Sequence, residues 1–111
     1  MTNPQKDRGD RAEREAASML TDLLGYPITR SLGAGRAQDR GDLVGVPDTT
    51  IQICDWADVR AAAVQKPRGV ELQRQHSGTT FAATLVRFRG GIWRVVLTPE
   101  QYATYVRESI G

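Results

Sequence analysis

The chain has 111 residues, enough for one small domain and too few for a second. With 40% hydrophobic residues it can build a single core, and a formal net charge of +2 excludes a polybasic tail protein. One cysteine rules out an intrachain disulfide or a cysteine-rich zinc site, and one histidine rules out a histidine-based metal cluster.

Residues 1–8 are polar and read as a frayed, flexible amino terminus, with the folded domain expected over 9–111. A helix is predicted over about 9–24. Ala12, Ala16, Met19, Leu20, Leu23 and Leu24 recur at the spacing of one buried face. Gly25 is placed to cap it and Pro27 to prevent its resumption. A first strand is predicted from Tyr26 to Ser31, then a Gly33-Ala34-Gly35 loop, then a second strand over about 41–46. Thr49 to Cys54 is rich in β-branched residues and reads as the third strand, with Thr50, Gln52 and Cys54 on one side and Thr49, Ile51 and Ile53 on the other. Ala57 to Gln65 has helical composition, which Pro67 and Gly69 are expected to interrupt before a second helical stretch over about 69–77. Phe81–Phe88 and Ile92–Leu97 read as strands of a hairpin turned by Gly90-Gly91. Thr98-Pro99-Glu100-Gln101 is a capping box with proline at the first helical position, opening a last helix. The predicted order is α-β-β-β-α-β-β-α, an α/β class with a small mixed sheet flanked by helices.

No apolar run reaches membrane-spanning length and no signal-peptide core is present near residue 1, so a soluble, cytoplasmic protein with no membrane partner is expected. Thirteen arginines stand against two lysines, Lys6 and Lys66. Arginine grips phosphate through a planar fork, so the bias fits a nucleic-acid surface; a GC-rich genome produces the same bias. Arg87 and Arg89 share a face of the last hairpin and are the best phosphate-tracking pair.

The chemistry concentrates in Asp39-Arg40-Gly41-Asp42-Leu43 and Ile51-Gln52-Ile53-Cys54. If the second and third strands pair as a hairpin, the Asp42 carboxylate and the Gln52 amide oxygen lie side by side, with the Ile53 carbonyl as a third oxygen. Such a set suits Mg²⁺ or Mn²⁺, which take oxygen ligands and activate water. Glu13 lies about 60° from the centre of the apolar face of the first helix, close enough to reach the sheet. Glu15, about 100° away, reaches water more easily.

These pieces, together with Gly9-Asp10-Arg11-Ala12-Glu13, resemble the PD-(D/E)XK nuclease superfamily, and within it the Holliday junction resolvase-like proteins of bacteriophages and archaea. The resemblance spans most of the chain and implies a restriction-endonuclease-like fold. It also implies cleavage of branched or duplex DNA with Mg²⁺ or Mn²⁺, and a homodimer. Carried over by position, Glu13 is the helix acid, Asp42 the metal-binding aspartate, and Gln52 stands at the Asp/Glu position. Cys54 stands where the family has lysine, and a thiol supplies no permanent positive charge. Glu13, Asp42, Gln52 and Ile53 would hold the metal, Lys66 would be the remaining cationic helper, and Arg36, Arg40, Arg60, Arg68, Arg87 and Arg89 would contact DNA. The alternative is a catalytically inactive member of the same fold, with no metal, that binds DNA or a protein partner.

Each residue also has a plain structural reading. Asp39 to Asp42 has the composition of a turn. Gln52 reads as an exposed strand position, Cys54 as a small buried residue, and Glu13 as part of a solvated charge run. Trp56 fits either packing or base stacking.

Overall fold

The structure is a computed structural model and describes residues 3–31 and 41–110. The loop at 33–35 and the candidates Arg36, Asp39 and Arg40 lie outside the described residues.

The first helix, α1, spans Pro4–Leu24 and begins five residues before the predicted start at residue 9. Residues 4–8 carry no apolar face, so periodicity has nothing to register there. The start comes instead from Asn3, whose side chain accepts from the N–H groups of Gln5 and Lys6, and from proline at the first turn. The expected flexible segment is therefore helical from Pro4 onward. Gly25 closes α1 at φ 82°, a left-handed cap that avoids the Cβ penalty. Thr21 then ties the helix to Ile28 beyond the cap: its hydroxyl donates to Ala17 O at 2.8 Å and accepts from Ile28 N at 2.9 Å.

The first two strands are shorter than predicted, β1 over Thr29–Arg30 and β2 over Leu43–Val44, and they pair antiparallel with each other. β2 does not form a hairpin with the third strand, β3 (Thr49–Cys54), whose bounds agree with the sequence reading. Instead the chain just before β2 makes a single parallel bridge, Gly41 to Ile51. Gly41 has φ 77°, and a Cβ there would lie 2.9 Å from the Ile51 nitrogen and closer still to its oxygen. Only glycine lets the backbones approach this closely.

Helix α2 runs unbroken over Val59–Ser77, with Pro67 inside it. The predicted interruption is absent. Proline removes one backbone bond and crowds the preceding turn, but burial of Ala62, Pro67 and Val70 against the sheet holds the helix together across it. Pro67 also keeps its carbonyl employed, as an acceptor for Gln101. The helix crosses from β3 to β4 (Phe81–Phe88), which pair in parallel from Thr49↔Phe81 to Cys54↔Val86. β4 turns through Gly90 and Gly91, both at positive φ, into antiparallel β5 (Ile92–Val96). Helix α3 spans Pro99–Ile110, and its capping box is formed in both directions: Gln101 N to Thr98 Oγ1 and Thr98 N to Gln101 Oε1, each at 3.0 Å.

A β3-β4-β5 sheet thus carries α1 on one face, with Ala12, Ala16 and Ala17 against Ile51, Ile53, Ala83 and Leu85. On the other face α2 packs Ala62 on Cys54 and Val86. α3 lies beside α2, with Gln101 bonded to Pro67 and Glu71 and Tyr105 stacked on Phe81 at 4.7 Å. Among the described residues the element order is α-β-β-β-α-β-β-α, a helix-flanked α/β arrangement with a small mixed sheet. No described helix is long and apolar enough to cross a membrane.

Candidate functional site

Asp42 sits at the outer edge of β3, where the Gly41 bridge delivers it. Its N–H donates to Ile51 O at 2.6 Å, and its Oδ2 accepts from Ile53 N at 2.7 Å. Burial raises its carboxyl to about 6; the Ile53 N–H opposes that rise, the charge of Glu13 adds to it, and Lys66 and Arg30 counter it. One aspartate therefore senses Glu13 from α1, Arg30 from β1 and Lys66 from α2. Those elements converge here because β3 is an edge strand with one helix on each side.

Glu13 reaches the sheet side, as its place on the helix predicts. There it meets a guanidinium: Arg30 Nε donates to Glu13 Oε1 at 3.1 Å, and Arg30 Nη2 to Asp10 Oδ1 at 2.8 Å. Lys6 closes the cluster on Asp10 at 2.9 Å. Gln52 turns the other way, toward α2, where its amide donates to Gln73 Oε1. Cys54 is 2% exposed beside Ala62 and Val86. Burial pushes its thiol above the ordinary value, against the pull of Lys66. Lys66 lies over the Trp56 ring, 5.1 Å from its centroid.

The structure therefore brings Glu13 and Lys66 within electrostatic reach of Asp42, and Asp42 and Lys66 within reach of Cys54, while Gln52 is engaged on the α2 side. As arranged, the donor set does not fit a divalent metal. Arg30 puts a positive charge against Glu13, Gln52 is bonded on the α2 side, and Ile53 meets Asp42 through its N–H, a donor. Among the described residues no three His, Cys, Asp or Glu side chains group as metal ligands. A hard cation needs several free oxygens converging on one point.

The arginines divide. Arg60 is exposed on the first turn of α2, and Arg68 lines a groove of about 970 Å³ between α2 and α3. Polar groups of that groove are spent on one another: Arg74 on Glu71 at 2.8 Å and on Thr79 O at 2.7 Å, Gln101 on Glu71 at 3.1 Å. Arg87 and Arg89 lie elsewhere, in a cleft of about 520 Å³ that also contains Arg8, Arg11, Asp55 and Trp56. Asp55 and Trp56 come directly after the carboxyl end of β3, and Arg87 to Gly90 stand at the carboxyl end of the parallel neighbour β4. The amino-terminal turns of α1 close the third side. Carboxyl ends of parallel strands are where α/β folds gather ligands.

Two ion pairs fix this cleft. Arg8 Nη2 donates to Asp55 Oδ1 at 3.0 Å, and Arg87 Nε donates to Glu15 Oε1 at 3.0 Å. Trp93 Nε1 also donates to Glu15, at 2.7 Å, and together these donors hold the Glu15 carboxyl below the usual range. Arg11 and Arg89 make no ion pair among the described residues. The sequence reading picked out Arg87 and Arg89 but missed Arg8 and Arg11. Their spacing of three residues on one helix was the available signal.

No protein-family model matches this chain, and no curated protein or solved structure is significantly similar to it.

Proposed function

We propose that this chain is a DNA-binding protein on a restriction-endonuclease-like frame, with a degenerate acidic centre where a nuclease of that type would cut. The observation that carries the reading is the cleft in which four arginines meet two carboxylates, Asp55 on Arg8 and Glu15 on Arg87, which leaves Arg11 and Arg89 outside the ion pairs among the described residues. Guanidinium groups grip phosphate oxygens, and a concave basic surface raises the local concentration of a polyanion. Three features next to Asp42 support a silent centre: Cys54 at the lysine position, Arg30 on Glu13, and Gln52 bonded to Gln73. The homodimer implied by the resemblance belongs to the same proposal.

The test is a titration of four-way junction and linear duplex at several salt concentrations, with and without Mn²⁺. Binding that weakens steeply with salt, and intact DNA at high protein excess, is the expected result. Affinity that does not respond to salt removes phosphate contacts as its source.

The rival reading is metal-dependent cleavage with Lys66 as the displaced cationic helper. It is favoured by one observation, the reach of the Lys66 charge to both Asp42 and Cys54. Product formation with Mn²⁺, abolished by Asp42→Asn and by Lys66→Met, would establish it in place of the silent centre.

A further inference from the structure

We propose that the cleft between α1 and the carboxyl ends of β3 and β4 takes an unpaired nucleotide of a single-stranded nucleic acid, its base stacked on Trp56 and its phosphates held by Arg11 and Arg89. This deepens the DNA-binding reading and rests on it.

Three observations separate a single strand from a duplex. First, the arginines surround a large aromatic ring: Trp56 lines the cleft and is 38% exposed, unlike an indole committed to a core. A base inside a duplex has both faces covered by its neighbours, so a recessed ring has nothing there to stack on. An unpaired base has a free face, and stacking on an aromatic side chain is the usual way single strands are held. Second, Lys66 stands over the Trp56 ring at 5.1 Å. A cation over one face orients the indole and leaves a charge beside whatever stacks on the other. Third, the cleft is a pocket of about 520 Å³ rather than a flat basic face, within the range of about 300–1,000 Å³ that encloses a small organic molecule. Its walls come from α1, the turn after β3 and the hairpin after β4, and the Arg8–Asp55 and Arg87–Glu15 pairs brace them. The arginines outside those pairs, Arg11 and Arg89, are exposed and left for the phosphates on either side of the base.

The experiment compares a twelve-nucleotide oligo(dT), the same length of oligo(rU), and a twelve-base-pair duplex by fluorescence anisotropy at fixed low salt, using the full chain. Oligo(dT) is expected to bind at least tenfold more tightly than the duplex. Oligo(rU) separates the two sources of an unpaired nucleotide, since binding equal to oligo(dT) means that base and phosphate suffice and weaker binding assigns the cleft to DNA. Trp56→Ala should bring the single-strand to duplex affinity ratio close to one, while Trp56→Phe, which keeps an aromatic face, should restore most of it. Circular dichroism of both variants checks that they fold. In a Trp93→Phe background, where Trp56 is the sole indole, oligo(dT) should quench the emission.

A ratio unchanged by Trp56→Ala, or a duplex bound as tightly as the single strand by the unaltered protein, overturns the stacking proposal and leaves DNA binding standing. No binding to any of the three nucleic acids overturns both.

Discussion

Asp42 is held in a position that costs stability. Its carboxyl is at about 6 in the folded chain against 3.8 for the free side chain, chiefly through burial. The folded state therefore binds the proton more tightly than the unfolded state does. The penalty is absent below about pH 4, grows as pH rises between the two values, and is complete above about pH 6. Its size is on the order of 2–3 kcal/mol at neutral pH. Asp42→Asn keeps an oxygen for the Ile53 N–H and removes the charge. Thermal melts should show the variant more stable than the parent at pH 7.5, with the gap closing by pH 4. A variant less stable at pH 7.5 would mean that the carboxylate is favourable where it stands.

At the scale of elements, the join between α2 and α3 rests on one glutamine. Gln101 is 5% exposed, and its side chain bonds Thr98 N, Pro67 O and Glu71 Oε1. It serves at once as the reciprocal half of a capping box and as the tie to a helix containing a proline. Gln101→Ala removes all three bonds and leaves the buried Pro67 carbonyl without its side-chain donor, which should cost roughly 1–3 kcal/mol. The urea midpoint is the measurement, and an unchanged midpoint would show that the two helices are held by packing alone. Glu100→Ala on the exposed side of the same turn serves as the control, with an effect within about 0.5 kcal/mol.

For the molecule as a whole, a net charge of +2 understates the basic cleft, because acidic residues are placed elsewhere or used as braces. Asp10 and Glu13 hold Arg30, Glu15 holds Arg87, and Asp55 holds Arg8. If Arg11 and Arg89 meet phosphate, each should contribute about 0.7 to the slope of log affinity against log salt on single strands. Arg89→Ala should then lower that slope by about 0.7 on single strands. The same change at Arg68, on the α2–α3 groove, should leave the slope as it was. Equal slopes for both variants and the parent would place the nucleic acid on some other surface.

Several local features could be read directly because their causes are local. The β3 run is bounded by turn residues, the Gly90-Gly91 hairpin needs positive φ at both positions, and the box from Thr98 to Gln101 closes within one turn. Glu13 was legible as a carboxylate facing the sheet, and Asp42 as an acid beside β3. The helix through Pro67 was not legible, since burial from distant strands outweighs a lost backbone bond there. The parallel approach of Gly41 to Ile51 was equally hidden: it depends on β2 choosing β1 as its partner. So was the guanidinium of Arg30 on Glu13, which joins residues that no short pattern connects.

By itself, then, the order of residues determined the sequence of helices and strands, the cap at Gly25, the closing hairpin and capping box, and the types of side chain available for chemistry, because those arise from backbone preference and short-range bonds. Tertiary structure decided which charges meet. It set Arg30 against Glu13, turned Gln52 toward α2, and gathered Arg8, Arg11, Arg87, Arg89 and Trp56 around one cleft. Electrostatic and stacking energies depend on distances through space, and those exist only once the helices have settled on the sheet.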